Sequence, residues 1–527
     1  MVIAIDQFRP DYLQRFRRYF TQNGFNLLLE RGATFTQAHY EHGITQTCPG
    51  HAVILTGSYG NVNGIVANSW YDTAARRETY CAADTLARLI GFNTEGRSPR
   101  NLIDSTVGDE LKRSTSGRSR VITVSGKDRA AIMLGGHLAD AAYWTEDTLL
   151  VTSSYYMKEL PIWVRRFNAS GPITKYRGKT WDRLLPPPAY ATVGPDDVAA
   201  EEGVAGMGRT FPHRLSSGQS SRERFLTGFQ TSPFENEVIT EFAMQAVVEE
   251  SLGRDGDPDL LGIGYSANDL VGHGYGPDSH EVMDITVRTD RLLERLFSFL
   301  ARQVGLSNVL IVLTSDHGVA PLPELMRQRD AGAGAGRIDP SVIGAAAEKA
   351  LRARFGAPRK PGWLVHPRWI MHQGWPSLYL NLAALRDKGV SVEAAERVAR
   401  EAVKKVAGVQ EAITSGELRR QRDSGLHSSA ERSFYPARSG NIYYVLRPFV
   451  LPERELVGTT HGSPWPYDTQ VPLLWFGSGI VPGSHTGAVS VADIAPTLAM
   501  LLGIRQPAGS GGRVLREILR QRGSDSR

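Results

Sequence analysis

Cysteine is nearly absent from the 527 residues: Cys48 and Cys81 are the only two. That excludes a disulfide-stapled scaffold and a thiolate zinc site, and leaves one disulfide open. Apolar runs approaching 18 residues are also missing, so no membrane span is expected. The sequence shows no basic start, apolar block and small-residue cleavage site in series, the pattern of a signal peptide. It opens instead on Val2-Ile3-Ala4-Ile5, a strand pattern. A start set inside a core strand leads us to expect a truncated N-terminus, with a leader preceding Met1. Charge of one sign is scarce as well: 60 Lys and Arg stand against 55 Asp and Glu, a net +5. Such a small excess predicts no nucleic-acid partner and suits small anionic substrates equally well. What is plentiful is core material, with 41% hydrophobic residues, 9 Trp, 18 Tyr and 18 Phe. Disorder is thereby excluded as the dominant state.

Short continuous apolar runs rich in β-branched residues recur at 2–5, 121–124, 260–264, 309–313 and 471–476. Continuous rather than alternating hydrophobicity reads as strands buried on both faces. Amphipathic helices lie between several of them, one near 283–300 with Val287, Leu292, Leu296 and Leu300 on one face. The alternation predicts an α/β fold: a mostly parallel central sheet with helices on both faces. The whole chain reads as one discontinuous domain, its core at about 1–140, 235–335 and 440–510. Two insertions break it. The stretch at about 140–235 is loop-rich in Tyr, Trp, Pro and Gly, and the stretch at about 335–440 follows the Ala-Gly run 331–336, read as a flexible joint. In the second, Ser391 is expected to cap a helix with Glu396/Arg400 and Glu401/Lys405 on a solvated face.

Acids and histidines cluster where strands end. Asp6 ends the first, Asp269 and His273 follow the run at 260–264, and Asp316-His317 follow the run at 309–313. His461, in Gly458-Thr459-Thr460-His461-Gly462, precedes the last run. In a parallel sheet the first three sites share one carboxyl edge, where α/β proteins bind ligands, and His461 can reach it from its loop. Three Asp and three His suit two divalent cations, zinc first, although Asp-rich sites also accept manganese or magnesium. A second pattern is Thr45-Gln46-Thr47-Cys48-Pro49-Gly50-His51 ahead of a helix-like apolar run. It puts the Thr47 hydroxyl near a helix N-terminus, with backbone N–H groups and the positive dipole end close by. Read alone Thr47 would be a helix cap, and coordination to a metal is what would make it a nucleophile.

With these motifs in this order the chain resembles the alkaline phosphatase superfamily, and within it the single-chain bacterial alkaline phosphatases with a threonine nucleophile. These are monoesterase relatives of the nucleotide pyrophosphatase/phosphodiesterases. The resemblance runs from Asp6 to Asp493-Ile494-Ala495-Pro496-Thr497-Leu498. It implies two Zn2+ ions per chain, one held by Asp269, His273 and His461 and the other by Asp6, Thr47, Asp316 and His317. It implies phosphate contacts from Asn68, the Cys48 backbone N–H, Lys127 and Arg129, and hydrolysis of phosphate monoesters through a phosphothreonine. A monomeric, periplasmic or secreted enzyme acting on small phosphoesters is also implied.

Lys127-Asp128-Arg129 resembles the Lys-x-Arg pair of the monoesterase branch. A monoester carries one more negative charge than a diester, and a cation about 4 Å away at an effective dielectric of 20 favours it by up to about 4 kcal/mol. Asn63-Gly64-Ile65 departs from the His-Gly-Ile common in the family, and Cys48-Pro49 lacks the spacing and Arg of a sulfatase motif. The rival readings are a diesterase or nucleotide pyrophosphatase on the same bimetal core and a non-catalytic phosphate- or nucleic-acid-binding protein.

Overall fold

The computed structural model describes residues 1–92, 94–217, 222–358, 368–420 and 425–520. Its centre is a nine-stranded sheet. We label the strands in chain order: β1 Val2–Ile5, β2 Ala33–His39, β3 Val121–Ser125, β4 Ala141–Glu146, β5 Leu149–Val151, β6 Leu260–Tyr265, β7 Leu310–Thr314, β8 Gln470–Gly477 and β9 Gly483–Ser490. Their spatial order is β9-β2-β8-β7-β1-β6-β3-β4-β5. The four neighbours β7, β1, β6 and β3 run parallel, as does β4 beside β3 and β9 beside β2. Strand β8 runs against both β7 and β2, and β5 against β4. The sheet is therefore mixed and mostly parallel, with helices on both sides.

Alternation along each strand sends side chains to two cores. Ile3, Ile5, Ile122, Val124, Ile263 and Leu313 pack against α3 (Pro233–Glu249) and α5 (His280–Gln303), through Val238, Phe242, Leu293 and Phe297. Val2, Ala4, Val121, Val312, Leu473 and Trp475 face α1 (Thr47–Thr56) and α6 (Ile494–Leu502). Each such Leu or Ile contributes about 1.5–3 kcal/mol by leaving water, which is what fixes register.

Two strands, β4 and β5, fall within the stretch expected to begin an insertion near 140 and join the main sheet instead. Ala142 and Trp144 are buried there against Ile132 and Met133 of α2 (Asp128–Gly135). The second insertion carries its own antiparallel sheet, ordered Ile370–Gly374, Ser377–Leu380, Ile442–Leu446 and Val409–Thr414. It extends past 440 into the expected core. Within it Ser391 does cap the helix Val392–Val403. Its charged face differs from expectation. Glu396 is buried and accepts from Ser415 Oγ at 2.6 Å and Asn441 Nδ2 at 3.1 Å, while Arg400 pairs with Glu401 and Glu417. The expected joint at 331–336 forms a helical turn, Ala331–Ala333, and Gly336–Arg337 then pair with Val450–Leu451.

Candidate active site

Four adjacent parallel strands, about 4.8 Å apart, deliver the chemistry to one edge. In spatial order, β7 leads into Asp316 and His317, β1 into Asp6, β6 into Asp269 and His273 on α4 (Ala267–Tyr275), and β3 into Lys127 and Arg129. Because β8 is antiparallel, its amino end lies at that same edge, so the loop before it brings His461 in. Thr47 is the first residue of α1, and the whole of that helix is buried. Its close approach depends on Gly50, where a Cβ would lie 2.2 Å from the Asp316 carbonyl oxygen.

The side chains converge. Asp269, His317 and His461 offer ligand atoms within 4.8 Å of one another, and so do Asp6, Asp316 and His317. His317 belongs to both sets, its ring stacked on His461 with centroids 3.5 Å apart. His273 falls outside both, yet its Nε2 is 3.2 Å from Asp269 Oδ1. All three histidines donate Nδ1–H to a backbone carbonyl: His273 to Thr459, His461 to Thr45 and His317 to Gly318, at 2.7, 2.6 and 2.9 Å. That fixes the tautomer and leaves Nε2 as the donor atom for a cation. Asp6 Oδ1, Asp316 Oδ2 and His317 Nε2 are buried without a hydrogen-bond partner. Buried acceptors left unpaired beside one another are costly unless a cation joins them, so the residues fit a divalent metal centre.

Electrostatics point the same way. Burial opposes charge on Asp316 and Asp269, but His317 and His51 hold the first, and His273 and Lys127 the second, well below the usual carboxylate range. Asp6 is pushed well above it by burial and the adjacent Asp316, against the pull of Lys127. Burial would lower His273, but the Asp269 carboxylate outweighs it and raises it. Burial and the neighbouring His317 keep His461 neutral, the form that ligates.

Lys127 Nζ lies between the acids, 2.6 Å from Asp6 Oδ2 and 2.5 Å from Asp269 Oδ2. Thr47 Oγ1 is 3.5 Å from both Lys127 Nζ and Arg129 Nη2. Asn68 stands against the same helix end, its Oδ1 accepting the Cys48 N–H at 2.8 Å. The Cys48 N–H expected to face phosphate is thus taken by Asn68. Cys48 and Cys81 form a disulfide, tying the segment beside Thr47 to the strand pair Ser69–Asp72 and Arg77–Tyr80 that follows Asn68.

Sequence reasoning missed three supports. Gln7, in a left-handed backbone conformation at φ 61°, donates its backbone N–H to Asp316 Oδ1 at 3.2 Å and Nε2 to Asp269 Oδ1 at 2.7 Å, bridging the two groups. His51 Nδ1 lies 2.9 Å from the Thr47 carbonyl and 3.2 Å from Asp316 Oδ2. Its position four residues after Thr47, on the same helix face, was the available signal. Gln46 holds Asn68 by accepting its backbone N–H at 2.8 Å.

Comparison with known proteins places the chain in a family. Residues 1–450 match the family described as type I phosphodiesterase / nucleotide pyrophosphatase. Alkaline phosphatase PhoV of Synechococcus elongatus is 32% identical, covering 98% of this chain and 92% of its own. Alkaline phosphatase PafA of Elizabethkingia meningoseptica is 31% identical over 98% and 93%. The crystal structure of wild-type alkaline phosphatase PafA superposes with a TM-score of 0.92 at 30% identity, covering 98% of both chains. The chain therefore belongs to the type I phosphodiesterase / nucleotide pyrophosphatase family of the alkaline phosphatase superfamily.

Proposed function

We propose that this protein is a zinc-dependent alkaline phosphatase that hydrolyses phosphate monoesters with Thr47 as nucleophile. The observation that carries the reading is the Thr47 hydroxyl at a buried helix N-terminus, 3.5 Å from both Lys127 Nζ and Arg129 Nη2 and beside two acid-histidine groups. Asp269, His273 and His461 would hold one zinc, and Asp6, Thr47, Asp316 and His317 the other. Bound there, the two ions supply Lewis-acid charge that lowers the pKa of the attacking hydroxyl and stabilises the departing oxygen.

The chain's own residues do the rest. Lys127, Arg129 and the Asn68 amide bind the non-bridging oxygens and orient the ester for in-line attack. Thr47 gives its proton to solvent, Oγ1 bonds to phosphorus, the phosphorus–ester oxygen bond breaks, and the oxygen departs with the bonding electron pair as an alkoxide that takes a proton from solvent to become the alcohol. The resulting phosphothreonine is cleaved by water: a new P–O bond forms, the Oγ1–P bond breaks, Thr47 regains a proton and phosphate departs. His51 and Gln7 keep Asp316 and Asp269 in place throughout. Two cations beside the nucleophile favour the dianionic monoester over a diester, and the names of the similar proteins agree. The Cys48–Cys81 disulfide supports an oxidising compartment, the periplasm or the exterior. No helix among the described residues is long and apolar enough to cross a membrane.

The test is rapid-mixing turnover of p-nitrophenyl phosphate by zinc-loaded protein, together with bis-p-nitrophenyl phosphate. Thr47→Ala is expected to abolish the product burst and the phosphoryl-enzyme. A burst that survives in Thr47→Ala, or a preference for the diester, refutes the reading.

A further inference from the structure

The turn that presents Lys127 and Arg129 rests on a buried acid with no part in the chemistry above. Glu235 lies in the first turn of α3 and is 1% exposed. Its carboxyl group is pressed onto Gly126, where a Cβ would lie 2.4 Å from Oε2 and 2.5 Å from Cδ, so a larger residue at 126 would displace it. Thr145, on β4, connects the two. Its Oγ1 lies 2.9 Å from the Gly126 carbonyl oxygen and 3.1 Å from Glu235 Oε1.

Counting protons decides how this group is wired. A hydroxyl has one proton to give, and an ionised Glu235 and a carbonyl are both acceptors. With Glu235 ionised, one of the two contacts is a meeting of lone pairs inside the protein, and Oε2 is a buried carboxylate oxygen with no partner. With a proton on Oε1, Glu235 donates to Thr145, Thr145 donates to Gly126, and only a neutral carbonyl oxygen stays unpaired, which costs far less. Burial pushes Glu235 up to about 7, against the opposing Thr145 hydrogen bond and Lys127. Lys127 is the charged side chain that acts on it, from the turn after β3. The elements around it otherwise present Thr145 and, on α3 itself, Asn236, whose amide is engaged by Asn268 and Thr289.

We propose that Glu235 is a positioning residue for the phosphate-binding cations: as a neutral acid it donates through Thr145 to the Gly126 carbonyl and so fixes the turn that presents Lys127 and Arg129. The inference rests on the reading that those two cations bind the monoester. Gln at 235 keeps a neutral donor at every pH, whereas Ala removes it.

The experiment compares kcat/KM for p-nitrophenyl phosphate and bis-p-nitrophenyl phosphate in zinc-loaded protein at pH 6 and pH 8. Glu235→Ala and Thr145→Val are each expected to lose monoester activity about 10-fold to 100-fold, the usual cost of removing an outer support, with a smaller loss on the diester. The double variant is expected to lose no more than either single one, because both interrupt one chain. Glu235→Gln is expected to keep the wild-type preference for the monoester at pH 6 and hold it at pH 8, where that of the wild type declines. Equal losses on both substrates, or a Gln variant no better than Ala, overturn the proposal.

Lys127→Ala/Arg129→Ala is measured alongside. If it leaves the monoester preference intact, the reading of the cations has failed, and the infrared spectrum then judges the relay alone. A protonated-carboxyl band that disappears in Glu235→Gln and shifts in Thr145→Val supports it, and the lack of such a band at pH 6 overturns it.

Discussion

Removing Arg129 tests the charge preference proposed to separate monoesters from diesters. Its Nη2 is 3.5 Å from Thr47 Oγ1, and its other close partner is the Tyr80 hydroxyl, also at 3.5 Å. Unlike Lys127, it makes no ion pair with Asp6 or Asp269, so Arg129→Ala disturbs the acid-histidine groups less than loss of Lys127 would, through its longer-range attraction to Asp6 alone. A monoester carries one extra negative charge, worth about 4 kcal/mol against a cation about 4 Å away at an effective dielectric of 20. Partial exposure of Arg129 reduces that to between about 2 and 4 kcal/mol, or roughly 30-fold to 1000-fold. We expect kcat/KM for p-nitrophenyl phosphate to fall by that factor, while the diester rate falls less than about 10-fold, since it loses a hydrogen bond without the extra charge term. Arg129→Lys is expected to recover part of the loss, keeping the charge without the planar fork. Zinc content and the thermal melt of each variant establish that the site is loaded and folded. Equal losses on the two substrates, in folded and loaded protein, refute the argument.

Other expectations follow from particular contacts. Gly50→Ala places a Cβ 2.2 Å from the Asp316 carbonyl and must push α1 outward, so Thr47-dependent turnover is expected to fall at least 100-fold with zinc-site geometry disturbed, checked by activity and metal content. Cys48→Ser/Cys81→Ser opens a loop of sequence separation 33, and the unfolded chain gains freedom worth about 3–4 kcal/mol, read from urea unfolding with and without the disulfide. Chelation is expected to abolish activity and lower the melting temperature, both restored by zinc, because the unpaired Asp6, Asp316 and His317 atoms lose their counter-charge. Asp468 is 1% exposed and burial pushes it up to about 7, above an unfolded value of about 3.9. Its contribution to stability is complete below about pH 4 and is lost as pH rises through about 7. Asp468→Asn should flatten the change in urea midpoint between pH 5 and pH 8.

Much of the fold was legible because strands buried on both faces are written as short apolar runs. All five such runs are strands of the main sheet. The strands that escaped notice are those with mixed faces: β2 alternates buried and exposed residues, and β9 is an exposed edge rich in Gly and Ser. At β4 and β5 the aromatic and polar residues that read as insertion belong to a sheet margin packed by Trp144. In the second insertion, i,i+4 spacing suggested a solvated Glu396, but the strand Ile442–Leu446 and the Ser415 turn cover it and use its carboxylate as a hydrogen-bond acceptor.

For the site, sequence by itself determined which residue types were available and where strands end, since Asp6, Asp269, Asp316 and His317 each follow an apolar run. It also set Thr47 at a helix start through Pro49. Only the tertiary structure decided that these positions meet. The order β7-β1-β6-β3 is a matter of which strands pair, and the reversal of β8 is what brings His461 to the same edge. Two of the supports were equally invisible: Gln7 and Glu235 gain their partners from residues up to 309 positions away. Chain order specifies local conformation through sterics and hydrophobic period. Contact between distant carboxylates, imidazoles and cations is fixed by how the buried faces of the sheet pack, and that packing is a property of the whole chain.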